Sequence, residues 1–173
     1  KKKIVIHSYA SPFLKRNLNF LGFNNVIELK HNEKKYIKGK TSITIYAADN
    51  CDPNICKKFV GCNYSTEDKG KKTHQVDTCA LISDDKNNCL NLNDCEYKMM
   101  TSTIKKIKEE YEKINILLVN YNSSHSYPQN IKNFSEKEKI KISEKIKKLT
   151  LQKSVSYINK FNPDYFIPFA GEY

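Results

Sequence analysis

The chain has 173 residues and 39% hydrophobic content, the size of one domain with enough apolar side chains for a core, which argues against disorder. Thirty Lys and Arg against nineteen Asp and Glu give a net charge of +11, but Arg16 is the single arginine and the lysines are spread among glutamates as on a solvated face. Without arginine forks for phosphate, nucleic-acid binding is not expected, and an attraction for anionic small molecules remains.

Lys3 to His7 reads as a short buried strand, followed by Ser11-Pro12, whose N-cap and first-position residue types open a helix that ends near Gly22. Val26 to Leu29 and Ser42 to Ala47 are two further strands, with Lys38-Gly39-Lys40 as the turn before the second. Residues 48 to 73 form a polar segment too long for a plain connection, which is where function often sits.

Residues 78 to 83 and 88 to 94 are apolar runs around Asp84-Asp85-Lys86-Asn87, the pattern of a hairpin. Ile104, Ile107, Tyr111 and Ile114 recur at helical spacing, and Ile114 to Val119 is a nearly continuous apolar strand. A second polar loop, 120 to 134, leaves the C-terminal end of that strand, the usual place for active-site loops in open α/β sheets. Ser135 and Glu138 have the spacing of a capping box, so a long helix is predicted from there to about Lys160, with Pro163 beyond it. Tyr165 to Gly171 reads as a last strand and glycine turn. The alternating order predicts an α/β fold without repeats or an interdomain linker.

The chemistry-bearing residues cluster around the hairpin. His74 precedes its first strand, and Asp94 ends its second, where alternation with Leu90 and Leu92 predicts a core-facing carboxylate that needs a partner. A neutral imidazole and a carboxylate suit Zn, Fe or Mn. The same pair also reads as an ordinary loop histidine and a capping aspartate. Asp77 is either a further ligand or a residue that orients one. His125 and Tyr127, in the second polar loop, are candidates for substrate contact, and Asp52, beside Asp49 and Asn50, is a candidate polar wall.

His7 reads as structural and His31, among lysines, as exposed. Cys51, Cys56 and Cys62 lack the two-residue spacing of strong zinc or iron–sulfur motifs, and their role stays open. Cys79 and Cys89 read as small core hydrophobes. Long helices and the lack of an export signal favour reduced thiols and a cytoplasmic setting, and no run reaches the ~20 apolar residues that cross a membrane. Phosphate loops and nucleophile elbows are missing, which removes nucleotide-triphosphatase and serine-hydrolase readings.

The stretch from His74 through Asp77-Thr78-Cys79 to Leu90-Asn-Leu-Asn-Asp94-Cys95 resembles the middle of metallo-β-lactamase-fold proteins. Asp77-Thr-Cys79, Asn93-Asp-Cys95 and Pro168-Phe-Ala-Gly171 look like the branch containing CMP-N-acetylneuraminate hydroxylase and related sugar-modifying proteins. The resemblance implies an αββα sandwich with metals at the sheet edge, in which His74 and Asp94 match ligands of the second half. It departs from the family at one point, because the H-x-H-x-D-H motif occurs nowhere in the sequence.

On this resemblance residues 1–173 are expected to form a single domain, its middle and C-terminal part, which exposes sheet edges and dissolves poorly alone. The activity implied is a metal-dependent hydrolase acting on an anionic phosphoester or nucleotide-sugar-like substrate. Two alternatives are a hydroxylase-like sugar-modifying protein working with a Rieske partner, and a non-catalytic binding domain. The expected cofactor is a divalent metal, held with the remainder of the same polypeptide or not bound by this chain alone.

Overall fold

The computed structural model describes residues 2–8, 12–47, 78–93, 95, 97–121 and 127–169. The strands are β1 (Ile4–His7), β2 (Val26–Leu29), β3 (Glu33–Lys38), β4 (Thr41–Ala47), β5 (Thr78–Ser83), β6 (Asn88–Asn91), β7 (Ile116–Asn120) and β8 (Tyr165–Phe169). Among the described residues the helices are α1 (Phe13–Phe20), α2 (Thr101–Glu110) and α3 (Glu136–Phe161), with a 3₁₀ turn at Tyr97–Met99. β1 and β2 form a parallel pair, while β3 to β8 form one six-stranded sheet in sequence order. The first four strands of that sheet run antiparallel, and β6, β7 and β8 run parallel.

The parallel strands need helical crossovers, which α2 and α3 supply. Both helices lie on the face that presents Tyr46, Cys79, Leu81, Leu90, Leu117 and Val119, and Ile104, Ile107, Tyr157 and Phe161 complete the buried cluster. The register explains this face: Leu81 pairs with Leu90, Leu90 with Leu117, and Leu117 with Phe166. The opposite face carries Ile43, Ile82, Cys89, Ile116, Leu118 and Ile167 and is only half-buried or exposed. Apolar residues on both faces are why β7 reads as an unbroken apolar run.

Four sequence expectations hold closely. The hairpin strand at 78–83 and its turn form as predicted, with the Asp84 carboxylate accepting from the Lys86 and Asn87 amides at 2.8 and 2.7 Å. The capping box at α3 is complete. α3 ends at Asn162, whose left-handed backbone stops it just before Pro163. Gly39, at a φ of 54°, makes the turn between β3 and β4.

Others are corrected. Pro12, not Ser11, is the N-cap of α1, which makes no side-chain capping bond, and Ser11 lies outside the described residues. Glu33–Lys38, unassigned by its charged pattern, is β3 and pairs with β4. As an outer strand it needs no apolar face, and its lysines discourage further pairing. β6 ends at Asn91, because Asn93 adopts a left-handed φ of 50° and donates its amide to the Asn91 side chain at 3.0 Å. The strand therefore stops short of Asp94, which lies outside the described residues.

The other outer strand, β8, is apolar and uncovered, with Tyr165 71% and Phe166 54% exposed. On α1 and the turn after it, Phe20 is 91% exposed and Phe23 is exposed as well.

Hydrogen bonds to the ionised carboxylates hold Asp84, Glu138 and Asp164 below the usual carboxylate range: the Lys86 and Asn87 amides at Asp84, the Ser135 hydroxyl and amide at Glu138, and Lys113 and Asn115 at Asp164. A depressed folded pKa contributes stability that is present above the unfolded value, near pH 4, and is lost as pH falls through the folded value. We therefore predict that thermal midpoints decline below about pH 4. The triple variant Asp84→Asn, Glu138→Gln, Asp164→Asn should show a shallower decline; equal slopes would contradict the assignment.

Candidate functional site

The strand directions bring one set of ends together. Ala47, the last residue of β4, pairs with Thr78, the first of β5. Ala80 pairs with Asn91, the last residue of β6, and Asn91 with Leu118, the middle residue of β7, two positions before its end at Asn120. Asn120 pairs with Phe169 at the end of β8. The same edge takes the start of β3 and the β2–β3 turn, since the Asn32 amide donates to the Ile45 carbonyl. His7 pairs with Leu29 immediately before that turn.

Chain connectivity then fixes which segments join the sheet here: 48–77, between β4 and β5; 92–96, after β6; and 121–134, after β7. Those are the segments that contain Asp52, His74, Asp77, Asp94, His125 and Tyr127. Asp52, His74, Asp77, Asp94 and His125, with Cys51, Cys56 and Cys62, lie outside the described residues. Tyr127 is described: it is 37% exposed, is joined to Pro128 by a cis peptide bond, and sits edge-on to Phe134 at 6.4 Å. Among the described residues no three His, Cys, Asp or Glu side chains gather as metal ligands.

Side chains from other elements fix the strand ends at this edge. The Thr103 hydroxyl of α2 donates to the Ala47 carbonyl at 3.2 Å, and the Ala47 amide donates to His31 Nδ1 at 3.0 Å. The Ser154 hydroxyl of α3 donates to the Asn120 carbonyl at 2.7 Å. The Tyr157 hydroxyl donates to the Cys95 carbonyl at 3.1 Å, just past the end of β6. Each bond satisfies a backbone group where the ladder stops, so the exits stay defined without further strand pairing.

These residues were not singled out by the sequence reading. Thr103 and Ser154 are buried hydroxyls on apolar helix faces, and that mismatch is the available signal. His31 is exposed as expected, but its ring is structural, standing edge-on to Tyr46 at 6.2 Å. Tyr46 is fully buried and donates to Glu110 at 3.0 Å; burial first, then Tyr111 and Glu110, push its phenol pKa up, so it stays a donor. Cys79 and Cys89 are free thiols, the first buried and the second half-buried, where burial pushes the thiol pKa up.

The opposite edge is laced differently. Asn88 donates its amide to Asn115 Oδ1 at 2.9 Å and its side chain to the Lys113 carbonyl at 2.8 Å. Asn115 donates to Asp164 at 2.9 Å, and Lys113 pairs with Asp164 at 2.8 Å. That edge is closed by short side-chain bridges; the long polar segments all join the other one.

Neither a family model nor a curated protein matches the sequence. Among solved structures, a mutant of CmlA beta-hydroxylase matches with a TM-score of 0.50 and 12% identity, over 95% of this chain and 30% of that one. Zn(2+)-bound PqqB from Methylobacterium extorquens matches with a TM-score of 0.38 and 10% identity, over 70% of this chain and 40% of that one. The chain thus spans less than half the length of either. The second likeness is too weak to carry an argument. The first shows the fold, a metallo-β-lactamase-like mixed α/β architecture. No helix among the described residues is long and apolar enough to cross a membrane.

Removing the Ser154 hydroxyl leaves the buried Asn120 carbonyl without that donor. Ser154→Ala is predicted to cost about 1–3 kcal/mol in urea unfolding; a change within about 0.5 kcal/mol, the usual effect of a surface substitution, would contradict the role.

Proposed function

We propose that the edge where β4 to β8 meet their polar segments is one half of a metal site, in a metal-dependent hydrolase acting on an anionic substrate. The observation that carries this reading is topological: the segments containing His74, Asp77, Asp94 and His125 all join the six-stranded sheet at one edge. His74 and Asp94 would be ligands, with Asp77 holding one of them in orientation. A borderline cation such as Zn, Fe or Mn fits imidazole with carboxylate, and such a site needs further donors from the rest of the same polypeptide. When bound, the metal supplies an activated water and a polarised phosphoryl or carbonyl oxygen.

The remaining roles fall to the chain's own side chains. His74 must be neutral to ligate, so metal retention should weaken as pH falls through the ordinary histidine range near 6.5. His125 and Tyr127 would orient the substrate by hydrogen bonds, with Asp52 as a polar wall. The net charge of +11 favours an anionic substrate such as a phosphoester or nucleotide sugar, and helps neither nucleic acid nor membrane binding in particular.

A hydroxylase-like reading has one supporting observation, the fold likeness to a protein named as a β-hydroxylase. Together with the sequence resemblance to sugar-modifying hydroxylases, it proposes a Rieske-type partner as electron donor. A binding domain of the same fold is the non-catalytic reading.

Metal analysis of the full-length protein separates them. The hydrolase reading expects near-stoichiometric Zn, Fe or Mn, at least about tenfold less of it in His74→Ala and Asp94→Ala, as loss of a ligating residue implies, and turnover of a phosphoester without a redox partner. Absence of metal from the wild type, or no loss in His74→Ala, would sink it. Turnover that requires a Rieske protein supports the hydroxylase, and a CMP-sugar thermal shift without turnover supports the binding domain.

A further inference from the structure

Ala47 is the residue at which β4 gives way to the segment containing Asp52 and His74. The β3–β4 ladder ends at the pair Glu33 and Ile45, so β3 offers Ala47 no backbone partner. Two side chains hold it instead, the amide by His31 Nδ1 and the carbonyl by the Thr103 hydroxyl. His31 is placed for this by its own turn: Asn32 takes a left-handed φ of 63° and donates to Ile45, while Glu33 accepts the Lys30 amide at 2.9 Å.

An imidazole that accepts at Nδ1 is neutral and carries its proton on Nε2. Protonation puts a hydrogen on both nitrogens, and two N–H groups would then face each other across the 3.0 Å contact. Histidine is the side chain whose charge changes near neutral pH. Among the described residues, the charged and titratable groups near His31 include Lys30 and Glu33 on its own turn, Tyr46 of β4 and, beyond the Tyr46 hydroxyl, Glu110 and Tyr111 with Lys34 of β3.

We infer that neutral His31 is a positioning residue for the candidate site, and that its protonation releases the Ala47 amide and loosens the point from which the Asp52 and His74 segment departs. The inference rests on the proposed metal site for its functional consequence. The bond and its pH dependence stand without that site.

Amide exchange and ring titration by NMR on the full chain test it. The Ala47 protection factor should fall roughly tenfold, the size of one lost backbone hydrogen bond, in step with protonation of the His31 ring. His31→Asn, whose Oδ1 accepts at every pH, should keep Ala47 protected throughout, and His31→Phe should leave it unprotected throughout, with Leu81 and Leu90 amides unchanged as the check on folding. A wild-type Ala47 that stays protected while His31 titrates would overturn the inference, as would a His31→Phe variant protected like the wild type. Metal retention at neutral pH should drop in His31→Phe and recover in His31→Asn; equal retention in all three would overturn the positioning role. A wild type that binds no metal refutes the proposed function instead, and the Ala47 readout still decides the bond.

Discussion

The direction of the strands in the six-stranded sheet is the constraint on which the rest depends. Had β6 to β8 alternated with their neighbours, the segments after β6 and β7 would have left opposite edges of the sheet. Because these three strands run parallel, α2 and α3 carry the chain back between them over one face, and all three strands end at the same edge. The antiparallel step from β4 to β5 adds the ends of segment 48–77 to that edge. The two edges therefore divide their work: one is bridged by Asn88, Asn115 and Asp164, and the other is joined by long polar segments.

Packing converts that topology into fixed exits. Leu81, Leu90 and Leu117 form one row across the sheet, and α2 and α3 bury it with Ile104, Ile107, Tyr157 and Phe161. Burying a Leu side chain stabilises by about 1.5–3 kcal/mol, so this row holds both helices firmly against the sheet. From that position Thr103, Ser154 and Tyr157 reach the carbonyls at which β4, β7 and the stretch after β6 end. The polar contacts are individually modest. Their effect is on geometry, since they define where each segment starts.

Much of this was legible in the sequence where one physical rule dominated. Alternation and turn chemistry gave the hairpin around Asp84, the Ser135 and Glu138 pair gave the start of α3, and a run apolar on both faces gave β7. β3 was not legible because an outer strand can be almost wholly charged, and Glu33–Lys38 has no apolar face to display. The end of β6 was misjudged because period-two alternation cannot reveal a left-handed Asn93. His31 looked merely solvated among lysines, since its bond to Ala47 depends on a register set by residues far along the chain. The candidate ligands were proposed by residue type and position beside predicted strands; that their segments join the sheet at one edge follows from strand order and direction, which residue patterns alone do not display.

The central claim is that the polar segments converge at one sheet edge and form a metal-binding locus there. Titrating the full-length protein with Mn²⁺ and recording paramagnetic broadening of backbone amides tests it most directly. A five-residue strand is about 17 Å long, enough to tell its two ends apart. The account predicts broadening at Ala47, Thr78, Asn91 and Asn120, with Asn88, Lys113 and Asn115 spared. Broadening centred on Asn88 and Asn115, or spread evenly along the strands, would contradict it.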